Sequence, residues 1–282
     1  MVNVNNVTYT YMSGGPFEKV AVDNVSLKLG DGEFIGLMGH TGSGKSTLIQ
    51  MIGGLIKPTS GTVEIDGDVL HSKECDMRSV RFKVGLAMQY PEYQLFEETV
   101  ARDIAFGPSN MGLSQQEIKR RTEFAADLAG LRPELLERSP FELSGGQKRR
   151  AAIAGILAME PKLLILDEPT AGLDPAGRDE ILCKIGDMHK RLGITVVLVS
   201  HSMEDIARMA DRIIVMNHGK VDMQGKPSEV FKRSERLREI GLSVPQITDV
   251  CDRLRKSGMP LPEGIYTVDR ARAEIEKLLK KQ

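Results

Sequence analysis

Nine consecutive residues, Gly39-His40-Thr41-Gly42-Ser43-Gly44-Lys45-Ser46-Thr47, carry the first chemistry legible in this chain. Their glycines let successive backbone N–H groups face one point, and a following helix would aim its positive end there. A polyphosphate suits such a loop: Lys45 can reach β- and γ-phosphates, and Ser46 offers a hydroxyl to Mg²⁺. The spacing is the P-loop pattern, and its flanks agree: the apolar run Phe34-Ile35-Gly36-Leu37-Met38 before it, helix-periodic Leu48, Ile49, Met51, Ile52 and Leu55 after it.

A second cluster lies where Leu163-Leu164-Ile165-Leu166 runs into Asp167-Glu168. Carboxylates at the end of a buried parallel strand sit where open α/β sheets bind ligands. Asp167 is suited to position Mg²⁺, and Glu168 to polarise a water aimed at the γ-phosphorus. Gln89 and His201 each follow an expected strand and can reach a phosphate, its water or the metal; read alone, each is equally a structural residue. Leu143-Ser144-Gly145-Gly146-Gln147 opens another helix and forms a second phosphate cradle, through the Ser144 hydroxyl and backbone N–H groups. Two cradles with one carboxylate pair suggest a site shared between subunits.

The elements that must position these groups follow from periodicity. Val2, Val4, Val7, Tyr9 and Tyr11 alternate with polar residues, as in an edge or antiparallel strand, and a second strand is expected over 20–29. The P-loop helix is expected to run on to Lys57-Pro58-Thr59-Ser60-Gly61, and Asp66-Gly67 to make a turn after a strand at 62–65. Residues 163–166 and 195–199 are apolar throughout, which requires a parallel sheet covered on both faces. Between 99 and 160 the texture becomes helical, with Ser114 and Glu117 spaced as a capping box. Helices are also expected over 179–192, 240–254 and 271–279. The expected fold is α/β: a nucleotide-binding core over 1–234 with an N-terminal antiparallel β subdomain, an inserted helical subdomain at about 99–160, and a helical appendage over 235–282.

Composition narrows the partners. The chain of 282 residues carries a formal charge of −1, so no bulk field draws it to nucleic acid, and Lys148-Arg149-Arg150 reads as a solvated or interface face. Three scattered cysteines fit reduced thiols in a cytosolic protein. The N-terminus does not read as a signal peptide, and no apolar run is long enough to cross a bilayer.

Taken in order, the P-loop, Gln89, Leu143 to Gln147, Asp167-Glu168, Ala171-Gly172-Leu173-Asp174 and His201 resemble the ABC-type ATPases over about residues 2–230. That resemblance implies ATP and Mg²⁺ held between two head-to-tail domains. It implies Mg²⁺ roles for Ser46, Gln89 and Asp167, a catalytic base at Glu168, a switch histidine at His201 and a cross-interface aspartate at Asp174. Tyr11 is the best match to the aromatic that stacks on adenine; core packing is the other reading of it. Within that family, Gln89-Tyr90-Pro91-Glu92-Tyr93-Gln94-Leu95-Phe96, Phe106-Gly107-Pro108 and Ser139-Pro140-Phe141-Glu142 look like energy-coupling factor transporter ATPases. Thr41 is similar to the second, A-prime, paralogue, and the tail from about Leu237 to a dimerisation segment. The implied partners are a second ATPase, identical or paralogous, a transmembrane coupling subunit and a substrate-binding membrane subunit, with the chain peripheral on the cytoplasmic face of the membrane. The implied cargo is a vitamin or a transition-metal ion. The competing expectation is a soluble ABC-type ATPase of DNA repair or translation, against which stand the missing coiled-coil insertion and second ATPase domain.

Overall fold

Alternating residues of the central strands face two different cores, which is why those strands are apolar on both sides. The structure, a computed structural model, describes residues 2–280; Met1 and residues 281–282, which the expected domain ranges include, lie outside it. The chain opens with β1 (Val2–Tyr11) and β2 (Lys19–Leu29), then β3 (Phe34–Gly39) leads through the glycine loop into α1 (Lys45–Ile52). Next come β4 (Ser60–Ile65), β5 (Asp68–Val69), α2 (Met77–Lys83) and β6 (Val84–Ala87). Helices α3 (Val100–Asn110), α4 (Gln115–Leu128) and α5 (Gly145–Leu157) form the inserted block. The core resumes with β7 (Leu163–Asp167), α6 (Pro175–Leu192), β8 (Thr195–Val199), α7 (Met203–Met209), β9 (Arg212–Asn217) and β10 (Lys220–Gly225). Short helices α8 (Pro227–Lys232) and α9 (Ser234–Glu239) lead to α10 (Gln246–Lys256) and α11 (Val268–Leu279).

A four-stranded antiparallel sheet, ordered β2-β1-β4-β5, packs against a six-stranded sheet ordered β10-β9-β3-β8-β7-β6. In the larger sheet β3, β6, β7, β8 and β9 pair in parallel, and β10 closes one edge antiparallel to β9. Ile35, Leu37, Ile165 and Val197 pack toward the smaller sheet and α1, among Val4, Val63 and Leu48. Phe34, Met38, Leu164 and Leu198 face the helical side, among Ile104, Ile153 and Ile185. A strand buried on both faces has no polar position to spare, so its functional groups lie just beyond its end.

Several expectations need correction. Of the two readings of β1, antiparallel holds and edge does not: it pairs antiparallel with both β2 and β4. α1 ends at Ile52 rather than near Lys57, because Gly53 caps it and Gly54 takes φ +66°, and Leu55 is left 54% exposed. The Ser114 hydroxyl accepts from the Glu117 amide, but the Glu117 carboxylate is taken by Arg120 and Arg121, so only half of a capping box forms. α6 begins four residues before Asp179, capped by Asp174. The helix expected from 240 starts only at Gln246, since Pro245 cannot sit inside one and Gly241 has φ +77°. β10, α8 and α9 carry no clear periodicity in the sequence. Leu237, Leu242 and Val244 pack into the large core, whereas Cys251, Leu261, Ile265 and Ala271 form a separate small cluster between α10 and α11.

Candidate functional site

The glycine loop owes its path to close backbone packing. A Cβ on Gly44, which has φ +101°, would meet the Ala21 carbonyl oxygen at 2.3 Å, and one on Gly39 would meet that of Met216 at 2.4 Å. The hairpin between β9 and β10 props the loop from behind: the Gly219 amide donates to the Ser43 carbonyl at 2.9 Å, and His40 Nε2 lies 3.2 Å from Asn217 Oδ1. Thr41 and Gly42 are exposed. Gly44 precedes α1 with no side-chain cap, so the first amides of the helix face the loop interior. Lys45 is 7% exposed and its ammonium donates to the Gly39 and His40 carbonyls at 2.7 and 3.1 Å. Burial draws its pKa below the ordinary lysine value, while the Glu168 and Asp167 carboxylates pull it back up. Tyr11 stands at the cleft wall: its hydroxyl is 3.2 Å from Thr47 Oγ1, its ring meets Tyr9 edge-on, and 42% of it is exposed.

The carboxylates sit at the end of β7, two strands along the sheet from β3, with β8 between them. Asp167 closes β7, 7% exposed, with its pKa raised by burial and partly held down by Lys45 and a hydrogen bond from Ser46. A carboxylate and a hydroxyl in contact are the hard oxygen donors that Mg²⁺ prefers, so these residues fit the metal. Glu168 follows with φ +52°, a conformation uncommon outside glycine, held by its amide donating to the Val199 carbonyl at 2.9 Å. Burial, then the Asp167 charge, pushes the Glu168 carboxyl up to about 7. Its Oε1 is buried without a hydrogen-bond partner. His201, just past β8, places Nε2 3.5 Å from that oxygen; burial and the Lys45 charge lower its pKa, so it stands neutral rather than as an ion-pair partner. Gln89 is exposed just past β6.

The sheet order explains how these groups come together. The adjacent parallel strands β3, β8, β7 and β6 deliver, at the same carboxyl end, the P-loop, His201, Asp167-Glu168 and Gln89. The second cradle is carried by α5 and not by one of those strands. Ser144 caps α5 reciprocally with Gln147: the Gln147 amide donates to Ser144 Oγ at 3.4 Å, and the Ser144 amide to Gln147 Oε1 at 2.9 Å. Ser144 and Gly145 are exposed, and a Cβ on Gly145 or Gly146 would meet nothing within 4 Å. Among the described residues, the cleft beside the P-loop is walled by Tyr11, Lys19, Ala21 and the start of α1, not by Ser144. Asp174 Oδ1 accepts from the Gly177 amide at 2.8 Å and is exposed.

Sequence reasoning missed the groups that hold these loops. Asp205, 4% exposed, binds the Arg178 guanidinium with both oxygens and accepts from Thr170 Oγ1 at 3.4 Å. Arg149 is not on a solvated face: it is 3% exposed and paired with Glu92 at 2.6 Å. Its charge alone named no partner in the sequence.

Comparison with known proteins bears on the family and the fold. The ABC transporter family profile matches residues 22–171. The chain is 55% identical over 279 residues to the energy-coupling factor transporter ATP-binding protein EcfA2 of Caldanaerobacter subterraneus, covering 99% of this chain and 98% of that protein. It is 53% identical to EcfA2 of Clostridium tetani, over 98% of this chain and 96% of that one. Among solved structures, cbiO1 from Clostridium perfringens, part of the ABC transporter complex cbiONQ, aligns with TM-score 0.75 at 37% identity, covering 89% of this chain and 98% of that one. The ATP-binding cassette MJ0796, in a dimeric post-hydrolysis state bound to ADP and Pi, aligns with TM-score 0.71 at 33% identity, over 80% of this chain and 98% of the other.

Proposed function

This chain belongs to the ABC transporter family, among the energy-coupling factor ATP-binding proteins, and from that membership we propose how its residues carry out ATP hydrolysis coupled to transport. The P-loop amides and Lys45 grip the triphosphate, with Tyr11 beside the base. Ser46, Asp167 and Gln89 would hold Mg²⁺, which when bound would offset the negative charge of the β- and γ-phosphates. Glu168 orients and deprotonates the attacking water, and His201 keeps a neutral imidazole between that carboxyl and the γ-phosphate. Ser144, Gly145 and Gly146 of this chain cover the nucleotide held by a second ATPase subunit, with Asp174 facing the same interface. The single observation behind this reading is the row at the carboxyl ends of β3, β8, β7 and β6, together with a second, exposed cradle whose Ser144 does not line the P-loop cleft of its own chain.

Among the described residues, no helix is long and apolar enough to cross a membrane; in this reading the membrane path is supplied by partner subunits. Tyr93 and Phe96, four and seven residues past Gln89, are 83% and 58% exposed, and Phe96 meets Phe106 edge-on. Such an aromatic surface suits the helices of a transmembrane coupling subunit. That coupling subunit would in turn hold a substrate-binding membrane subunit whose cargo is a vitamin or a transition-metal ion, with this chain peripheral on the cytoplasmic face. Exposed Val250, Val268 and Leu279 on α10 and α11 support a dimerising role for the tail. The name EcfA2 shared by the relatives supports the A-prime paralogue, and transport over a role in DNA repair or translation.

The test is Glu168→Gln in the membrane-reconstituted complex. It should retain Mg-ATP, hold the ATPase pair closed and lose turnover by about 10²–10⁴-fold. Turnover near wild type would remove Glu168 from the role of base.

A further inference from the structure

Arg149 is the one buried guanidinium on the helix that Ser144 caps. Its Nε and Nη2 donate to the two Glu92 carboxylate oxygens at 3.0 and 2.6 Å. Its Nη1 donates to the Pro169 carbonyl at 3.0 Å and the Ala171 carbonyl at 2.7 Å. The Tyr90 ring lies 5.9 Å from the guanidinium carbon, and the Glu92 side chain is only 11% exposed.

Each acceptor belongs to a segment with its own part in the site. Glu92 stands on the turn Pro91–Gln94, three residues after Gln89. Pro169 adjoins Glu168, and Ala171 lies three residues before Asp174. Burying an ion pair costs desolvation that its attraction roughly offsets, so the pair is a poor device for stability alone. A rigid planar fork that fixes four acceptors in set directions is a good device for register. The neighbouring charges differ: Lys148 lies over the exposed Phe141 ring, and Arg150 pairs with Glu180 at the surface.

We infer that Arg149, fixed by Glu92, is a positioning residue that sets the aim of the Ser144 cradle relative to the loops carrying Gln89, Glu168 and Asp174. Without it the α5 N-terminus and the Gln89 turn keep their own folds but lose their mutual register. The inference rests on the function proposed above and adds to it the part that aligns the two halves of the site. Misplacing reacting groups by about 1 Å can cost about 10²-fold in rate while leaving ground-state binding intact.

The experiment uses the membrane-reconstituted complex with its partner ATPase, assayed for Mg-ATP turnover. Glu92→Gln keeps the side-chain shape and removes the charge; kcat should fall at least roughly tenfold, with KM for ATP within about twofold, because the P-loop is untouched. Arg149→Gln should lose more. Arg149→Lys should recover part of that loss, since an ammonium can pair with Glu92 but cannot span both carbonyls. If Arg149→Gln fails to fold by thermal melting, Glu92→Gln decides alone. A Glu92→Gln kcat within twofold of wild type, or a raised KM at unchanged kcat, overturns the inference. Glu168→Gln in the same preparation separates the two levels: if it turns over normally, the functional reading fails; if only it is inactive, the positioning role of Arg149 fails.

Discussion

His201 Nε2 lies 3.5 Å from Glu168 Oε1, an oxygen buried with no hydrogen-bond partner. A carboxyl pushed up to about 7 is basic enough to accept a proton near neutral pH, and the neutral imidazole beside it does not tie that oxygen up as an ion-pair partner. The backbone at Glu168 is held at φ +52°, so the carboxyl is aimed at the expense of local strain.

That arrangement should be visible in the stability of the nucleotide- and metal-free chain. A carboxyl raised from 4.5 to about 7 takes up its proton more readily in the folded state, so stability falls as pH rises through that interval and levels off above it. Glu168→Gln, carrying no charge beside Asp167, should therefore melt above wild type at pH 8, and the gain should fade toward pH 5. Thermal melts across that range check it; a gain independent of pH contradicts it.

Gly44 and Gly145 are small for different reasons, and alanine separates them. Gly44→Ala places a Cβ at 2.3 Å from the Ala21 carbonyl in a left-handed conformation, so it should destabilise the chain by roughly 2–4 kcal/mol and abolish ATP binding. Gly145→Ala meets nothing within 4 Å and sits at the first turn of α5, so its melting should stay within about 0.5 kcal/mol of wild type. Its coupled ATPase should nonetheless fall at least roughly tenfold, because a methyl group fills space meant for a phosphate. Unchanged turnover would detach Gly145 from the nucleotide.

Asp205 ties the Glu168 loop to α7. Asp205→Ala removes both acceptors of Arg178 and the partner of Thr170, which should cost roughly 2–3 kcal/mol by denaturant unfolding. Thr170→Val, losing one 3.4 Å contact, should cost no more than about 1 kcal/mol.

Removing the metal should discriminate Asp167 from Lys45. Wild-type affinity for ATP should drop when EDTA replaces Mg²⁺, whereas Asp167→Asn should show little difference between the two conditions. Lys45→Ala should bind weakly in both. Equal Mg²⁺ dependence in wild type and Asp167→Asn, measured by calorimetry, would take Asp167 out of the metal site.

The parts of the site legible in the sequence were those whose chemistry demands fixed residue types within a few positions. The P-loop and Asp167-Glu168 each announce themselves beside an apolar strand. The tie between Arg149 and Glu92 spans 57 residues, and a charge on a helix does not name its partner. The end of α1 is not legible in the sequence because Leu55 continues a helical period across Gly53 and Gly54, where backbone freedom outweighs periodicity. β10 stayed hidden because it pairs only on one side, and its half-buried alternation is weak.

The most direct measurement is the structure of the Glu168→Gln complex loaded with Mg-ATP. One nucleotide should lie at each ATPase interface, with Ser144 of this chain within about 3.5 Å of the γ-phosphate bound by the partner subunit. Ser144 facing solvent, with each nucleotide enclosed by a single subunit, would contradict it.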